Sequence, residues 1–500
     1  MHKKQIKNSI ILFIGQFLIK GSGFIKQLIM AFFLGVSAQL DLLLIAQIVP
    51  AILASMFAGG AGEVIVTQQK KGKIYDEKLV LIFVFCITMI TVFASALYLG
   101  TIPLFINILS VKADQIELFW AITIIIVLSK IPSAIVSSLQ HLLYAREKYG
   151  FFIVTTIVSE IIGIVTIVYL VKSHGVIAFA YGILITSLIK AIFFLYIQKL
   201  NPVFLLHVKT WIDKKEELFI VLKRTFSLSI QTFLNQISTF WERILSFRFL
   251  QPGFLSALNY SKNLTQLPKL ALLSSILTTT YIEQMNKKNE NENEYLSYSH
   301  KMEIILSEIS FLFQMLSLVF GPLILMVLFR RGAFDNDAVE TSFLIFQILS
   351  IGFLPGLMME FLSRTMYIEQ GYKTLLKINI FKFFIEVILM VAFIQVSEYV
   401  IPITLVIGKF FVSITLFIFL LRKHPGIFNV GNFIRLYVLL LIFSIVILII
   451  NQILIDYLLQ LSSLELILYY SPLILISMLV ILWGFKKKYA TQFHRILFKK

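Results

Sequence analysis

Cysteine is almost missing: Cys86 is the one thiol in 500 residues. No intrachain disulfide can form, and because Cys86 lies inside an apolar run it reads as an inert core thiol. Charge is scarce as well. Charged residues make up 14% of the chain against 58% hydrophobic ones, where a soluble domain carries about a quarter charged residues. Also absent are strand-length alternating segments, metal-ligand clusters, a phosphate-cradling glycine loop and any nucleophile constellation. These absences argue against a soluble fold, a β-barrel and an enzyme.

What is present is apolar sequence in long runs. The mean hydropathy is +0.89, and runs of roughly 17–25 residues recur, each able to cross a hydrocarbon core of about 30 Å. Backbone polar groups in lipid need internal partners, so such runs are expected to be helices. We read them at about 8–34, 42–66, 79–106, 116–144, 151–171, 176–198, 218–248, 254–282, 302–329, 338–368, 374–395, 400–421, 433–453 and 463–485. The expected fold class is an all-α polytopic membrane protein with about fourteen transmembrane helices. The first run has a basic start but is too long for a signal peptide and lacks a cleavage site, so it is expected to stay as helix 1.

The net charge of +17 would suit nucleic acid, but its distribution points elsewhere. One set of loops holds roughly 25 Lys and Arg, including Lys3, Lys70, Arg146, Lys215, Lys288, Lys373, Arg422 and the tail from Lys486 to Lys500. The other set holds roughly five: Lys112, Lys172, Arg248, Arg330 and Arg331. The asymmetry predicts both termini on the cytoplasmic side of the cell membrane. It orients the chain and does not imply nucleic acid.

A linker at 199–217 is amphipathic, with Phe204, Leu205, Val208 and Trp211 among Lys209, Lys214 and Lys215, as a segment lying on the membrane surface would be. The stretch 283–300 reads as a polar, mobile connector. The linker separates two sets of six helices, 1–198 and 218–421, that echo each other; 422–500 adds two helices and a basic tail. Asp41 precedes Pro50 by the interval at which Asn259 precedes Pro268, and Pro132, Tyr144 and Tyr149 are spaced like Pro355, Tyr367 and Tyr372. Six helices per unit is an even number, so the sequence predicts parallel repeats with a cavity between two lobes.

Ionisable side chains at membrane depth are functional candidates, since each costs about 2.5–3.5 kcal/mol or more at a helix centre. The basic ones are Lys20, Lys26, Lys130, Lys190, Arg243, Lys262, Arg364, Lys382 and Lys409; the acidic ones are Glu160, Glu242, Glu308, Glu360 and Glu386. Glu360 with Arg364, and Lys382 with Glu386, are spaced to neutralise each other. Lys190 and Lys409 are placed to snorkel. Lys20 and Lys26 have no carboxylate nearby in sequence, which favours an anion-binding role. A regular helix sets them about 120° apart, so a bend at Gly21 and Gly23 would be needed to aim both at one cavity.

The run Lys20-Gly-Ser-Gly-Phe-Ile-Lys26, then Gly35, Asp41, Pro50 and Ala58-Gly-Gly-Ala61, resembles the first two helices of the MurJ (MviN) lipid II flippases of the MOP superfamily. FRRGAFD at 329–335 and LSRTMY at 362–367 resemble segments of the same family. The resemblance implies that arginine positions lining a central cavity and contacting pyrophosphate fall here on Lys20 and Lys26. Lysine keeps the charge but loses the bidentate fork. The acidic neighbour falls on Gln27, the helix 2 arginine pair on Ala54 and Ser55, the following glutamate on Gly59, and the helix 8 arginine on Asn263, beside Lys262.

The expected function is a flippase carrying an undecaprenyl-pyrophosphate-linked saccharide, lipid II first, from the inner to the outer face by alternating access. Alternatives are a flippase for a teichoic, capsular or exopolysaccharide precursor, or a cation-coupled multidrug exporter of the same superfamily. The expected substrate-binding residues are Lys20, Lys26, Lys262, Arg243, Asp41 and Asn263. No cofactor or metal is expected; coupling to the membrane potential or a monovalent cation is open. The expected partners are the lipid-linked oligosaccharide and membrane lipids, with the chain acting as a monomer.

Overall fold

The computed structural model describes residues 2–58, 77–146, 148–198, 208–268, 274–462 and 464–473. These residues form helices and no strand, as expected of a backbone that must satisfy its own polar groups in lipid. In chain order the helices are α1 (His2–Leu34), α2 (Ala38–Ala46), α3 (Ile48–Ala58), α4 (Glu77–Leu109), α5 (Ile116–Ala145), α6 (Tyr149–His174), α7 (Ile177–Gln198) and α8 (Val208–Phe249). Then follow α9 (Phe254–Pro268), α10 (Ser274–Glu290), α11 (Glu292–Phe329), α12 (Asn336–Ile351), α13 (Phe353–Ile368), α14 (Tyr372–Phe393), α15 (Val400–Lys423) and α16 (Val430–Gln460).

Nine spans among the described residues are long and apolar enough to cross a membrane, ten counting the bent pair α12–α13. The expected spans outside that set are α8, the α9–α10 pair, α14 and the last one. Helix α14 fails the test because Lys373, Lys377, Lys382 and Glu386 interrupt it, and most of 463–485 lies outside the described residues. Length and composition therefore do not establish the count of fourteen. Large apolar side chains are exposed all along α16, among them Ile442, Ile445, Ile449 and Ile453. In water such a face would be a liability; against lipid tails it carries no penalty.

One expectation about connections is corrected. Residues 283–300 are not a mobile connector but two helices parted at Asn291, whose side chain caps α11 by accepting from Asn293 N–H. Ion pairs Lys288–Glu292 at 3.2 Å and Lys287–Glu294 at 3.1 Å span the break, so polar composition here serves helix ends rather than disorder. The second half of the amphipathic linker, from Val208, is the first part of the 42-residue α8; residues 199–207 lie outside the described residues. The two prolines expected to match also act differently. Pro132 sits inside the continuous α5, whereas Pro355 follows a 43° break at Gly352, in the first turn of α13 where its missing N–H costs nothing.

Helix contacts fall into two groups, α1 with α4–α7 and α9 with α11–α15, which are the two lobes. Helices α2 and α8 contact both groups, and α3 packs on the first group and on α8. Leu218, Val221 and Leu222 of α8 pack with Leu79, Val80 and Phe83 of the first lobe, and Ile244 joins the core around Ile45, Ile48 and Tyr98. On its other side Leu245 packs with Phe254, Leu349 and Met390 of the second lobe. In the stretch near Val221, Thr225 and Ser229 donate their hydroxyls to the carbonyls four residues back, a bond that weakens and tends to bend a helix.

Hydrogen bonds join the lobes close to the turns between helices. Ala333 N–H donates to Phe32 O at 2.8 Å, the Tyr260 hydroxyl to Gly35 O at 3.2 Å, and Arg248 to Ile108 O at 2.9 Å. Gly35 has φ +56° and faces Ala333, whose carbonyl oxygen a Cβ there would overlap. Only glycine meets both conditions without strain.

Candidate functional site

Each lobe contains a cavity with lysines and a carboxylate on its wall. In the first lobe a space of about 290 Å³ is lined by Lys26 of α1, Ser133, Ser137 and Gln140 of α5, Glu160 of α6, and Ser187 and Lys190 of α7. Glu160 accepts from Lys26 Nζ through Oε2 at 2.6 Å and from Lys190 Nζ through Oε1 at 2.6 Å. Lys26 is therefore not unpaired, because its carboxylate lies 134 positions away, beyond the reach of any local pattern. Lys190 does not snorkel but shares that carboxylate. Helix α1 runs unbroken through Gly21 and Gly23, so Lys20 is not turned toward Lys26 and is exposed instead.

The second-lobe cavity, about 330 Å³, is lined by Ser238 and Glu242 of α8, Lys262 of α9, Lys382 and Glu386 of α14, and Lys409 of α15. Lys262 Nζ donates to both oxygens of Glu242, at 2.8 and 2.7 Å. Lys382 pairs with Glu386 at 3.3 Å, as its spacing predicted, and Ser238 donates to the same carboxylate at 3.0 Å. The expected Glu360–Arg364 pair is present at 3.6 Å. Lys409 is not a snorkelling residue: its chain lies along Gly352 at the α12–α13 break, where a Cβ would come within 3.0 Å of it. Its ammonium thus sits near the carbonyl end of α12, which carries partial negative charge.

The other expected ligands are spent elsewhere. Asp41 is 2% exposed and is not on the wall of either cavity. Its carboxylate accepts from Gly253 N at 2.6 Å, from Ser256 N at 2.7 Å and from the Ser256 hydroxyl. It neutralises the N-terminus of α9, where unpaired N–H groups and the helix dipole favour an anion, and so fastens the lobes together. Arg243 donates to Leu44 O at 2.7 Å, a second bond between lobes. Asn263 is half-buried and is not on the wall of either cavity. Sequence reasoning missed Glu160, Glu242 and Lys190 as cavity groups; the available signal was charge balance, since ionisable groups inside spans commonly pair with one another.

Outside the spans, Glu369 gathers Lys423 at 2.6 Å, His424 Nε2 at 2.9 Å and Lys288 at 3.1 Å. Burial alone would push this carboxyl up, but the hydrogen bonds from Lys423, His424 and Lys288 outweigh it and hold it at about 2. The cluster ties α10, α13 and α15 at one end of the second lobe.

Two lobes of helices with charged cavities inside a lipid-facing shell define a membrane transporter. Several solved structures share the fold. One, titled as lipid II flippase MurJ in an inward closed conformation, matches with a TM-score of 0.69 at 19% identity, covering 94% of this chain and 100% of that one. Another, an inward-facing multidrug resistance MATE family transporter of the MOP superfamily, matches with a TM-score of 0.62 at 16% identity over 83% of this chain and 96% of that one. The family model for lipid II flippase MurJ matches residues 30–493, and the chain belongs to that family. It is a flippase for a lipid-linked precursor and not an enzyme. No curated protein matches it in sequence. The matched segment begins after Lys20 and Lys26.

Proposed function

We propose that the chain carries lipid II from the inner to the outer face of the cytoplasmic membrane by alternating access of its two lobes. One observation carries the reading: Lys26 and Lys262, two basic residues at membrane depth, each line a cavity in a different lobe. A diphosphate leaving water needs cationic partners, because an unpaired charge in low dielectric costs several kcal/mol. Ammonium groups on cavity walls meet that need through charge-assisted hydrogen bonds. The lobes are fastened near the turns at Gly35, Gly253 and Gly332, the end that the Lys and Arg asymmetry places outside. A chain closed there presents its cavities toward the cytoplasm, where the precursor is made available. In this reading both termini are cytoplasmic, the chain acts as a monomer, and the membrane potential or a monovalent cation resets the cycle.

A second reading keeps the mechanism and changes the saccharide to another lipid-linked polymer precursor. The departures at Ala54, Ser55, Gly59 and Asn263 favour it, since they remove charge from positions that the family resemblance marks as charged. Complementation of a strain depleted of its lipid II flippase separates the two. Growth supports lipid II as cargo; lysis despite membrane insertion of the chain excludes it.

A further inference from the structure

Glu160 holds more positive charge than neutralisation requires. Each carboxylate oxygen accepts from a different lysine at 2.6 Å, and the three groups come from three helices. Their side chains are only 14–19% exposed. Within a span one cation is enough to neutralise a carboxylate that ties helices together; the larger gathering of bases around Glu369 lies outside the spans. A second ammonium adds desolvation cost and leaves the group at net positive charge. That surplus faces a cavity walled by the hydroxyls of Ser133, Ser137 and Ser187 and the amide of Gln140. Thr186, on the same wall, has a buried hydroxyl with no hydrogen-bond partner among the described residues. Two ammonium groups set around a two-oxygen anion form an arrangement that a phosphate or diphosphate also satisfies.

We propose that Glu160 is an internal counter-ion, seated between Lys26 and Lys190 while the cavity is empty and displaced by the diphosphate of the cargo head group. The identity of the cargo rests on the flippase reading; the exchange itself does not. Lys190 is then a second basic ligand, and the displaced carboxylate turns to the Gln140 amide and to the hydroxyls of Ser133, Ser137 and Ser187, which release the backbone carbonyls they otherwise donate to. No charge is left bare at either stage. In the second lobe both oxygens of Glu242 take the single ammonium of Lys262, a one-to-one pair without that surplus. An empty transporter guarded in this way discriminates against weakly bound anions, because only a ligand that outcompetes a tethered carboxylate gains the site.

The test is titration of the purified full chain in nanodiscs with inorganic pyrophosphate. A site filled by its own counter-ion most of the time has its apparent affinity reduced by the open fraction, so Glu160→Gln is expected to bind about tenfold more tightly. Lys26→Ala and Lys190→Ala are each expected to bind about tenfold more weakly, having lost one charge-assisted contact. No binding by the unaltered chain, unchanged affinity in Glu160→Gln, or undiminished affinity in Lys190→Ala overturns the proposal. A measurement on the unaltered chain guards against a variant that fails to insert. Labelling of Glu160 by a hydrophobic carbodiimide, read by mass spectrometry, is expected to rise when pyrophosphate is added; an unchanged or lower yield overturns the exchange. A short-chain polyprenyl diphosphate is expected to compete with pyrophosphate, and failure to compete would assign the site to a free anion instead. A chain that shows the exchange but fails complementation refutes only the flippase reading, whereas complementation with unchanged Glu160→Gln affinity refutes only the role of Glu160.

Discussion

Asp41 joins two helices that no sequence pattern connects, its backbone partner Gly253 lying 212 positions away. Asp41→Asn keeps the shape but removes the charge and one acceptor, leaving an N–H at the start of α9 without its partner. Hydrogen bonds to charged groups contribute about 1.5–3 kcal/mol, so this variant is expected to melt at a lower temperature in detergent; an unchanged melting temperature would show that the cap contributes nothing to stability. Glu369 gives a pH-dependent counterpart. Its carboxyl titrates at about 2 in the folded chain against an ordinary 4.5, so the folded state prefers the ionised form. The contribution to stability is complete above pH 4.5 and is lost as the pH falls through 2. Unfolding of the parent between those limits is expected to steepen relative to Glu369→Gln, and parallel pH profiles would remove Glu369 as the cause. Residue chemistry was legible in the sequence where it depends on type alone: Lys26 and Lys262 stood out as cations in apolar helices. Their partners were not legible, because Lys26 meets Glu160 across 134 positions and Lys262 meets Glu242 across 20.

Helices were legible because their cause is local. A run of apolar residues in lipid has to satisfy its own backbone, and α4, α5, α6, α7 and α15 begin and end within a few residues of the expected limits. The misreadings occur where a partner from another element decides. Polar residues at 283–300 suggested a loose connector, yet Lys288 reaches both Glu292 and Glu369, and the ion pairs keep the segment helical. The break at Gly352 likewise reflects a neighbour, since the side chain of Lys409 occupies the space that a larger residue would need. The turn at Gly35 shows how much an element boundary can demand. Its φ of +56° costs a residue with a Cβ about 1–2 kcal/mol before any clash, and the Ala333 carbonyl adds one. Gly35→Ala is therefore expected to destabilise the chain more than Gly21→Ala, whose site has open space around it. Equal melting temperatures for the two variants would contradict that ranking.

For the molecule as a whole, orientation is the quantity most directly open to measurement. With Cys86 replaced, single cysteines at Lys288 and at Lys112 or Asp335 are expected to report from opposite sides of intact cells, the first protected and the others labelled by an impermeant reagent. Labelling of Lys288 from outside would invert the topology and with it the proposed direction of transport. Two lobes were expected from paired motifs of which Pro132 and Pro355 do not act alike, and the role of α8 was not legible, since its sequence is too polar to advertise a buried position. That helix belongs to both lobes at once, with Val221 and Ile244 on the first and Leu245 and Glu242 on the second. No rigid rocking can leave both faces covered. Apolar faces uncovered to lipid carry no penalty, so what opposes separation is polar: the bonds from Gly253 and Ser256 to Asp41 and from Arg243 to Leu44 would be lost where the bilayer offers no replacement partner. The bonds of Thr225 and Ser229 soften the rod where its grip on the first lobe begins. The cost of parting the lobes is thus concentrated in a few polar contacts near the ends of helices, like the latch of a door rather than its panels.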